Sequence, residues 1–482
     1  MIDLRPVGYV IGLMVLALGG FMIVPGILDA IASNPDWRAF GVSAVFTLLV
    51  GGALTLGCST GRSAALTIEQ AFLLTVLAWV ALPVFGALPF MLGEPNSRAV
   101  DALFEAVSGI TTTGSTIYIG LDDMPPGILL WRALLQWIGG IGIVVFAMVF
   151  LPTLQVGGMQ LFKSESFDTF GKILPRATEI ASSIFSIYLG LTLACALIYA
   201  SFGMSAFDAL CHAMTTIATG GFANYDSSFA GYGPAIQYAS VIFMLLASLP
   251  FVRYVQLVNG AHQPLLKDAQ IRAFLITAFV IMLALTIYRL QTVEGDVERH
   301  VRESLFNGVS ILTGTGYASA DYGLWGAFPV AVFFMIGLIG GCAGSTSCSV
   351  KIFRYQILAA TVSAELFRVR RPHGVFRPRY EGRPIRPDVI SSVLTFFFVF
   401  VATLALMTIL LTWIGLDSIT ALSGAATALA NVGPGLGPEI GPAGNFAGLP
   451  DEAKYVLIVG MLLGRLELLS VLVLLTPSFW RR

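Results

Sequence analysis

Apolar residues in this chain gather in long runs separated by short polar intervals. The runs lie at roughly 7–32, 37–58, 67–92, 127–152, 177–202, 233–258, 270–290, 322–357, 388–415 and 452–477. An α-helix needs ~20 apolar residues to cross a bilayer. The pattern therefore predicts an all-α integral membrane protein with about ten transmembrane helices. The first run begins at Val7, outlasts the apolar core of a signal peptide, and reads as a retained helix.

Four shorter segments remain, at about 101–113, 207–219, 303–315 and 418–432. Each is too short and too rich in Thr, Ser and Gly to span, and each falls between two spanning runs. They end in Thr113-Gly114, Thr219-Gly220, Thr315-Gly316 and Val432-Gly433, at intervals of 106, 96 and 117 residues. A repeat of helix, half-helix, glycine turn and helix organises the chain. The expected division is 1–66 for two leading helices, then pore repeats at 67–160, 161–262 and 263–367. Residues 368–482 hold a basic cytoplasmic loop and the fourth repeat. Every copy starts on the same side, so the repeats are parallel, whereas those of many secondary transporters are inverted.

Charge adds sidedness. Only 11% of residues are charged, the net charge is −1, and the mean hydropathy is +0.83. Nothing here suits nucleic acid, and lipid is the implied surroundings. Lys163, Lys172, Arg176, Lys267, Arg272, the cluster Arg368 to Arg386, Arg481 and Arg482 share one side. The opposite loops hold Arg38, Arg98, Arg289, Arg299, Arg302 and Lys454. The positive-inside bias places both termini in the cytoplasm and the half-helices on the outer side.

The five cysteines, at 58, 195, 211, 342 and 348, have no zinc-ligand spacing. Cys342 and Cys348 read as small residues of a tight loop or as a redox pair. Of His212, His262, His300 and His373, His212 alone falls at membrane depth, as a structural residue of the second half-helix. Gly344-Ser-Thr-Ser347 lacks the Gly-Lys-Ser/Thr order of a phosphate loop, so the residues favour no enzyme and no covalent cofactor.

Non-helical backbone at membrane depth must be buried in protein or line water, because each unpaired group in lipid costs several kcal/mol. Four such turns in one chain call for a shared wet axis. Glycine frees the backbone to aim carbonyl oxygens at that axis, and a carbonyl ring replaces the hydration shell of a monovalent cation such as K⁺. The half-helices would point their negative C-terminal ends at the ion. Asp101, Asp208, Glu303 and Asp417 suit the opposite poles, although simple helix capping also accounts for them. Asp122, Asp123, Asp226, Asp321 and Glu439 read as a cation-gathering vestibule or as ordinary loop charge. Arg465, isolated in the last apolar run, reads as a barrier facing the pore or as a partner for a neighbouring acid. Glu467 sits on another face, and Glu105 and Arg132 are candidate mutual partners.

The most specific segments are Ser108–Ser115, Ala218–Phe222, Thr315–Ser319, Asn431–Gly437, Trp131–Gly142, Gly340–Ser347 and Gly464–Glu467. Together they resemble the Trk/Ktr/HKT superfamily of K⁺ transporters and channels, in its TrkH-type bacterial branch, over essentially the whole chain. The resemblance implies four helix–pore loop–helix units with fourfold pseudo-symmetry in a bacterial inner membrane, passing K⁺ as the permeant ion. It assigns a selectivity filter to Thr112, Thr113, Gly114, Thr219, Gly220, Thr315, Gly316, Asn431, Val432 and Gly433. It assigns a gate to Gly340, Gly341, Gly344, Ser345, Thr346, Ser347 and Arg465. The chain departs from the family at Cys348-Ser349, where two glycines are common. The implied partners are a second copy, as a homodimer, and a cytosolic TrkA-like regulatory subunit binding NAD(H) or ATP, docked on the basic stretch Arg368–Arg379. A less selective K⁺/Na⁺ transporter, or a secondary transporter of another solute, is the alternative.

Overall fold

Small residues decide how the chain begins. The computed structural model describes residues 2–61, 66–149 and 177–481. Helices Arg5–Ile31 and Trp37–Gly57 lie against each other. A Cβ on Gly12 would come within 2.8 Å of the Thr55 amide nitrogen, and one on Gly51 within 2.8 Å of that of Leu16. Glycine at these positions lets two backbones approach where lipid supplies no hydrophobic drive.

Four units follow. The first is Ile68–Gly86, the pore helix Ala99–Ile110, and Pro126–Val149. The second is Ala177–Ser201, the pore helix Ala206–Ile217, and Pro234–Ala247 joined to Phe251–Val258 through a 90° bend. Ala269–Thr292, the pore helix Val297–Thr313, Ala327–Gly337 and Ile352–Arg370 form the third. The fourth is Pro387–Ile414, the pore helix Ser418–Ala430, and Asp451–Arg465. Among the described residues, seven helices are long and apolar enough to span alone, and bent pairs raise that to nine. The remaining expected span, 322–357, is two helices around an intramembrane loop.

The spanning helices differ in how much of them faces outward. The apolar core of Pro126–Val145 is 78% buried, whereas those of Ala181–Ser201 and Pro387–Ile414 are 22% buried. Side chains such as Phe398 and Trp413 stand outward on the last of these, as a lipid-facing surface requires.

Three expectations change. The third pore helix has 17 residues, because Val297-Glu-Arg-His-Val-Arg-Glu continues it outward on the ion pairs Glu298–Arg302 and Arg299–Glu303, each one turn apart. Glu303 therefore lies mid-helix against Arg289 and Arg299, and Asp296 caps the helix in its place. The last apolar run is not one helix: Glu467 and Leu468 take left-handed angles (φ 57° and 42°), and the chain turns by 101° just beyond Arg465. The expected boundary at 160/161 and the basic residues Lys163, Lys172, Arg176 and Arg482 lie outside the described residues.

Candidate functional site

The four pore helices end in a common backbone pattern. Thr112, Thr219, Gly314 and Asn431 each take a left-handed angle, with φ of 51°, 50°, 78° and 51°. Two residues later come Gly114 (φ 87°), Gly221 (φ 79°) and Gly316 (φ 86°), with Gly433 in the fourth loop. The amide of the residue between them bonds back to the pore helix in three loops: Thr113 to Ser108 O, Gly220 to Thr215 O and Val432 to Thr427 O, at 2.9–3.0 Å. Gly221, not Gly220, is thus the structural counterpart of Gly114. The sequence offers two adjacent glycines, and the backbone angle separates them. A signal for this register was present: Ser108, Thr215, Ser310 and Thr427 each stand six residues before the glycine.

These glycines meet in chain order. A Cβ on Gly114 would collide with the Gly220 carbonyl oxygen, and one on Gly221 with that of Thr315. A Cβ on Gly316 would lie 3.0 Å from Gly433 N, and one on Gly433 3.1 Å from Gly114 O. First loop touches second, second third, third fourth, and fourth first. Above this closed ring lies one cavity of about 220 Å³ lined by Gly114, Gly221, Gly316 and Gly433 together.

Side chains behind the ring hold it. Ser108 and Ser310 donate to Ser115 O and Tyr317 O (2.6 and 2.7 Å), seven residues on in each case. Ser115 donates to Gly433 O at 2.8 Å. Gln136 donates to Gly220 O (2.7 Å) and accepts from Phe222 N (3.0 Å). Arg132 and Glu105 are mutual partners at 2.8 Å, both fully buried. Arg132 also donates to Ala223 O, and Glu105 accepts from Ile117 N, so the pair joins the first two loops. Residue type marks Arg132 and Glu105 as partners in the sequence but gives no such mark to Gln136, which lies within the Trp131–Gly142 segment.

The candidate filter residues divide by direction. Thr113 Oγ1 meets Thr111 Oγ1 and accepts from Asn431 Nδ2 at 3.0 Å. Thr219 Oγ1 donates to Ala218 O, and Thr315 Oγ1 meets Thr313 Oγ1. Thr112 Oγ1 faces Cys348 Sγ at 3.3 Å. Val432 is buried. The threonine hydroxyls are therefore spent within the protein.

Outside the ring, Asp417 caps the fourth pore helix through Ile419 N and Thr420 N, and Ser205 caps the second ahead of Asp208. Asp101 pairs with Lys454 at 2.7 Å and Arg98 at 2.9 Å. Arg98 reaches on to Asp451, which joins the first and last units at the rim. Of the five candidate vestibule acids, Asp226 lines the outer cavity. Its carboxylate accepts from Gly120 N and Leu121 N, Asp122 accepts from Asp226 N, and Asp321 accepts from Gly323 N. These serve loop structure first.

Under the ring lies the loop 338–351, pinched where Ile339–Gly340 pairs in parallel with Val350–Lys351. Gly341 N donates to Ser347 Oγ, and Ser347 Oγ to Thr313 O, at 2.8 and 2.7 Å. Gly344 O accepts from Phe251 N, Thr346 Oγ1 donates to Ala247 O, and Ser345 Oγ donates to Cys342 O. Ser349 N donates to Ala430 O at 2.8 Å. The loop thus touches the inner ends of the first, third and fourth pore helices. Arg465 reaches it by donating to Cys348 Sγ (2.8 Å) and also to Gly139 O (3.2 Å). Glu467, in the turn beyond the helix rather than on another face of it, pairs with Arg354. Lys351 Nζ donates to Ser347 O, and Lys351 lines a small cavity with Asn431, Cys348 and Arg465. The described cysteines are all free thiols, and Cys342 and Cys348 both lie in this loop.

Comparison with known proteins finds relatives over nearly the whole chain. A family model described as TrkH, cation transport protein, matches residues 38–482. The chain is 46% identical to the Trk system potassium uptake protein TrkI of Halomonas elongata, over 99% of this chain and 97% of that one. It is 35% identical to the Trk system potassium uptake protein TrkH of Escherichia coli K12, over 99% of both. The crystal structure of the potassium transporter TrkH from Vibrio parahaemolyticus superposes with a TM-score of 0.92 at 32% identity, covering 100% of each chain.

Proposed function

The chain belongs to the TrkH family of cation transport proteins, and from that premise we propose that it carries potassium into a bacterial cell through one pore on the axis of the four loops. The observation that carries this reading is the closed ring Gly114–Gly221–Gly316–Gly433 beneath a single outer cavity. Main-chain oxygens at such a ring can substitute for the water around a weakly hydrated cation. The pore helices add the negative ends of their dipoles. Thr112, Thr113, Thr219, Gly220, Thr315, Asn431 and Val432 supply the rest of the filter backbone. Because two threonines, Thr113 and Thr315, stand beside Gly220 and Val432 at matching positions, the ring is uneven, and some Na⁺ passage is compatible with it.

Arg465 and the loop 338–351 form the gate in this reading. Arg465 has no acid partner among the described residues, and its guanidinium lies under the ring as a positive barrier to idle cation flow. The basic stretch Arg368–Arg379 docks a cytosolic nucleotide-binding subunit that biases the loop, and the protein works as a homodimer with one pore per copy. Positive-inside charge places both termini in the cytoplasm of the inner membrane.

Growth of a K⁺-uptake-deficient bacterium at low K⁺ tests the reading. Wild-type protein restores growth and Gly316→Ser loses it, since a side chain there presses on Gly433 and Pro434. Unaltered rescue by Gly316→Ser removes the filter assignment.

A further inference from the structure

Cys348 stands where the family resemblance leads one to expect glycine, and its surroundings are specific. Its sulfur accepts from Arg465 Nη1 at 2.8 Å and lies 3.3 Å from the Thr112 hydroxyl. Thr112 is the left-handed residue that ends the first pore helix, two positions before the ring glycine. The next residue, Ser349, donates from its backbone to Ala430 O at the end of the fourth pore helix, while its hydroxyl donates to Gly337 O at 2.7 Å. One two-residue segment therefore joins the gating loop, the first and fourth filter loops, and the barrier arginine.

Arg465 has little else to hold it. Nη2 donates to Gly139 O, Nε is buried with no partner among the described residues, and the guanidinium carbon lies 5.4 Å from the Trp79 ring centre. A buried guanidinium places a high premium on each acceptor it finds, because an orphaned donor retains its full desolvation penalty. Glycine at 348 would offer no side-chain acceptor.

We propose that Cys348 is a positioning residue for the gate, a latch in which the thiol sulfur holds Arg465 across the pore and ties the closed loop to the first filter loop. The proposal rests on the reading of Arg465 as a barrier. It adds that this chain holds its barrier through a side chain, and so starts from a more firmly closed state than a glycine-bearing loop does. Opening requires the Arg465–Cys348 contact to break while the loop moves away from Thr112. Serine, with an oxygen acceptor of similar size, keeps the latch.

The test is Rb⁺ uptake into vesicles of purified full-length protein, comparing wild type, Cys348→Gly, Cys348→Ser, Arg465→Ala and the double variant Cys348→Gly/Arg465→Ala. Glycine suits this loop by the family pattern, so the first variant is expected to fold. Cys348→Gly raises basal flux roughly tenfold, the scale of one lost hydrogen bond to a charged group. Cys348→Ser stays near wild type, and the double variant matches Arg465→Ala. If Arg465→Ala raises flux while Cys348→Gly leaves it unchanged, the latch is wrong and the barrier stands. Cys348→Gly acting equally in the Arg465→Ala background also overturns the latch, because Cys348 then acts without the arginine. If Arg465→Ala itself raises nothing, the barrier reading fails first, and with it the latch.

Discussion

At the scale of single residues, the site depends on which glycine carries the turn. Gly221 holds φ 79° directly against the Thr315 carbonyl, whereas Gly220 backs onto the Gln136 side chain. Gly221→Ser is expected to abolish growth rescue at low K⁺ as fully as Gly316→Ser does, and a variant that still supports growth would refute the register. Behind the ring, Arg132 and Glu105 are both fully buried. Arg132→Met leaves the carboxylate uncompensated, a loss of about 3–5 kcal/mol for a broken buried pair. Thermal unfolding in detergent should show a clearly lowered midpoint, and an unchanged one would mean the pair contributes little. The sequence exposed the pair through residue type alone. The adjacent glycines Gly220 and Gly221 look alike by residue type, and only the Ser or Thr six positions ahead, Thr215 in this loop, marks Gly221 as the one that carries the turn.

At the scale of elements, the long apolar runs and the four half-helices were legible because bilayer thickness dictates their length. The breaks were less so. The 101° turn after Arg465 depends on left-handed Glu467 and Leu468, residue types that give no warning of such angles. The Gly- and Ser-rich interruption at 340–349 did announce itself, and it became a loop closed by parallel pairing at its base. The third pore helix grew beyond its expected start because charged residues spaced one turn apart support a helix that apolar patterning misses. Asp417 shows how a pore helix is started. Hydrogen bonding from Thr420, then from the Ile419 amide, holds its carboxyl below the ordinary value. A lowered folded-state value stabilises fully above the unfolded pKa, and the benefit is lost as pH falls through the folded value. Asp417→Ala should cost on the order of 1 kcal/mol near neutral pH. Its deficit against wild type should shrink in acid, and a deficit constant with pH would exclude the charged cap.

At the scale of the whole molecule, four weakly similar sequences make one site only by meeting. No single loop has the composition of a binding site, and the threonine hydroxyls are largely turned to partners within the protein. What the repeats share is a glycine turn at the end of a half-helix, and the fold brings the four turns edge to edge. Rim contacts such as Arg98 with Asp451 join the last unit to the first, so one chain closes the circle. The loop 338–351 is anchored in turn to the ends of three of the four pore helices. In the proposed pore a desolvated cation rests on the axis within reach of all four loops. Anomalous X-ray scattering from crystals grown in Rb⁺ tests it most directly. A peak is expected inside the ring shared by the loops of Gly114, Gly221, Gly316 and Gly433; a ring without Rb⁺, or Rb⁺ bound to one loop away from the others, rules out a shared site.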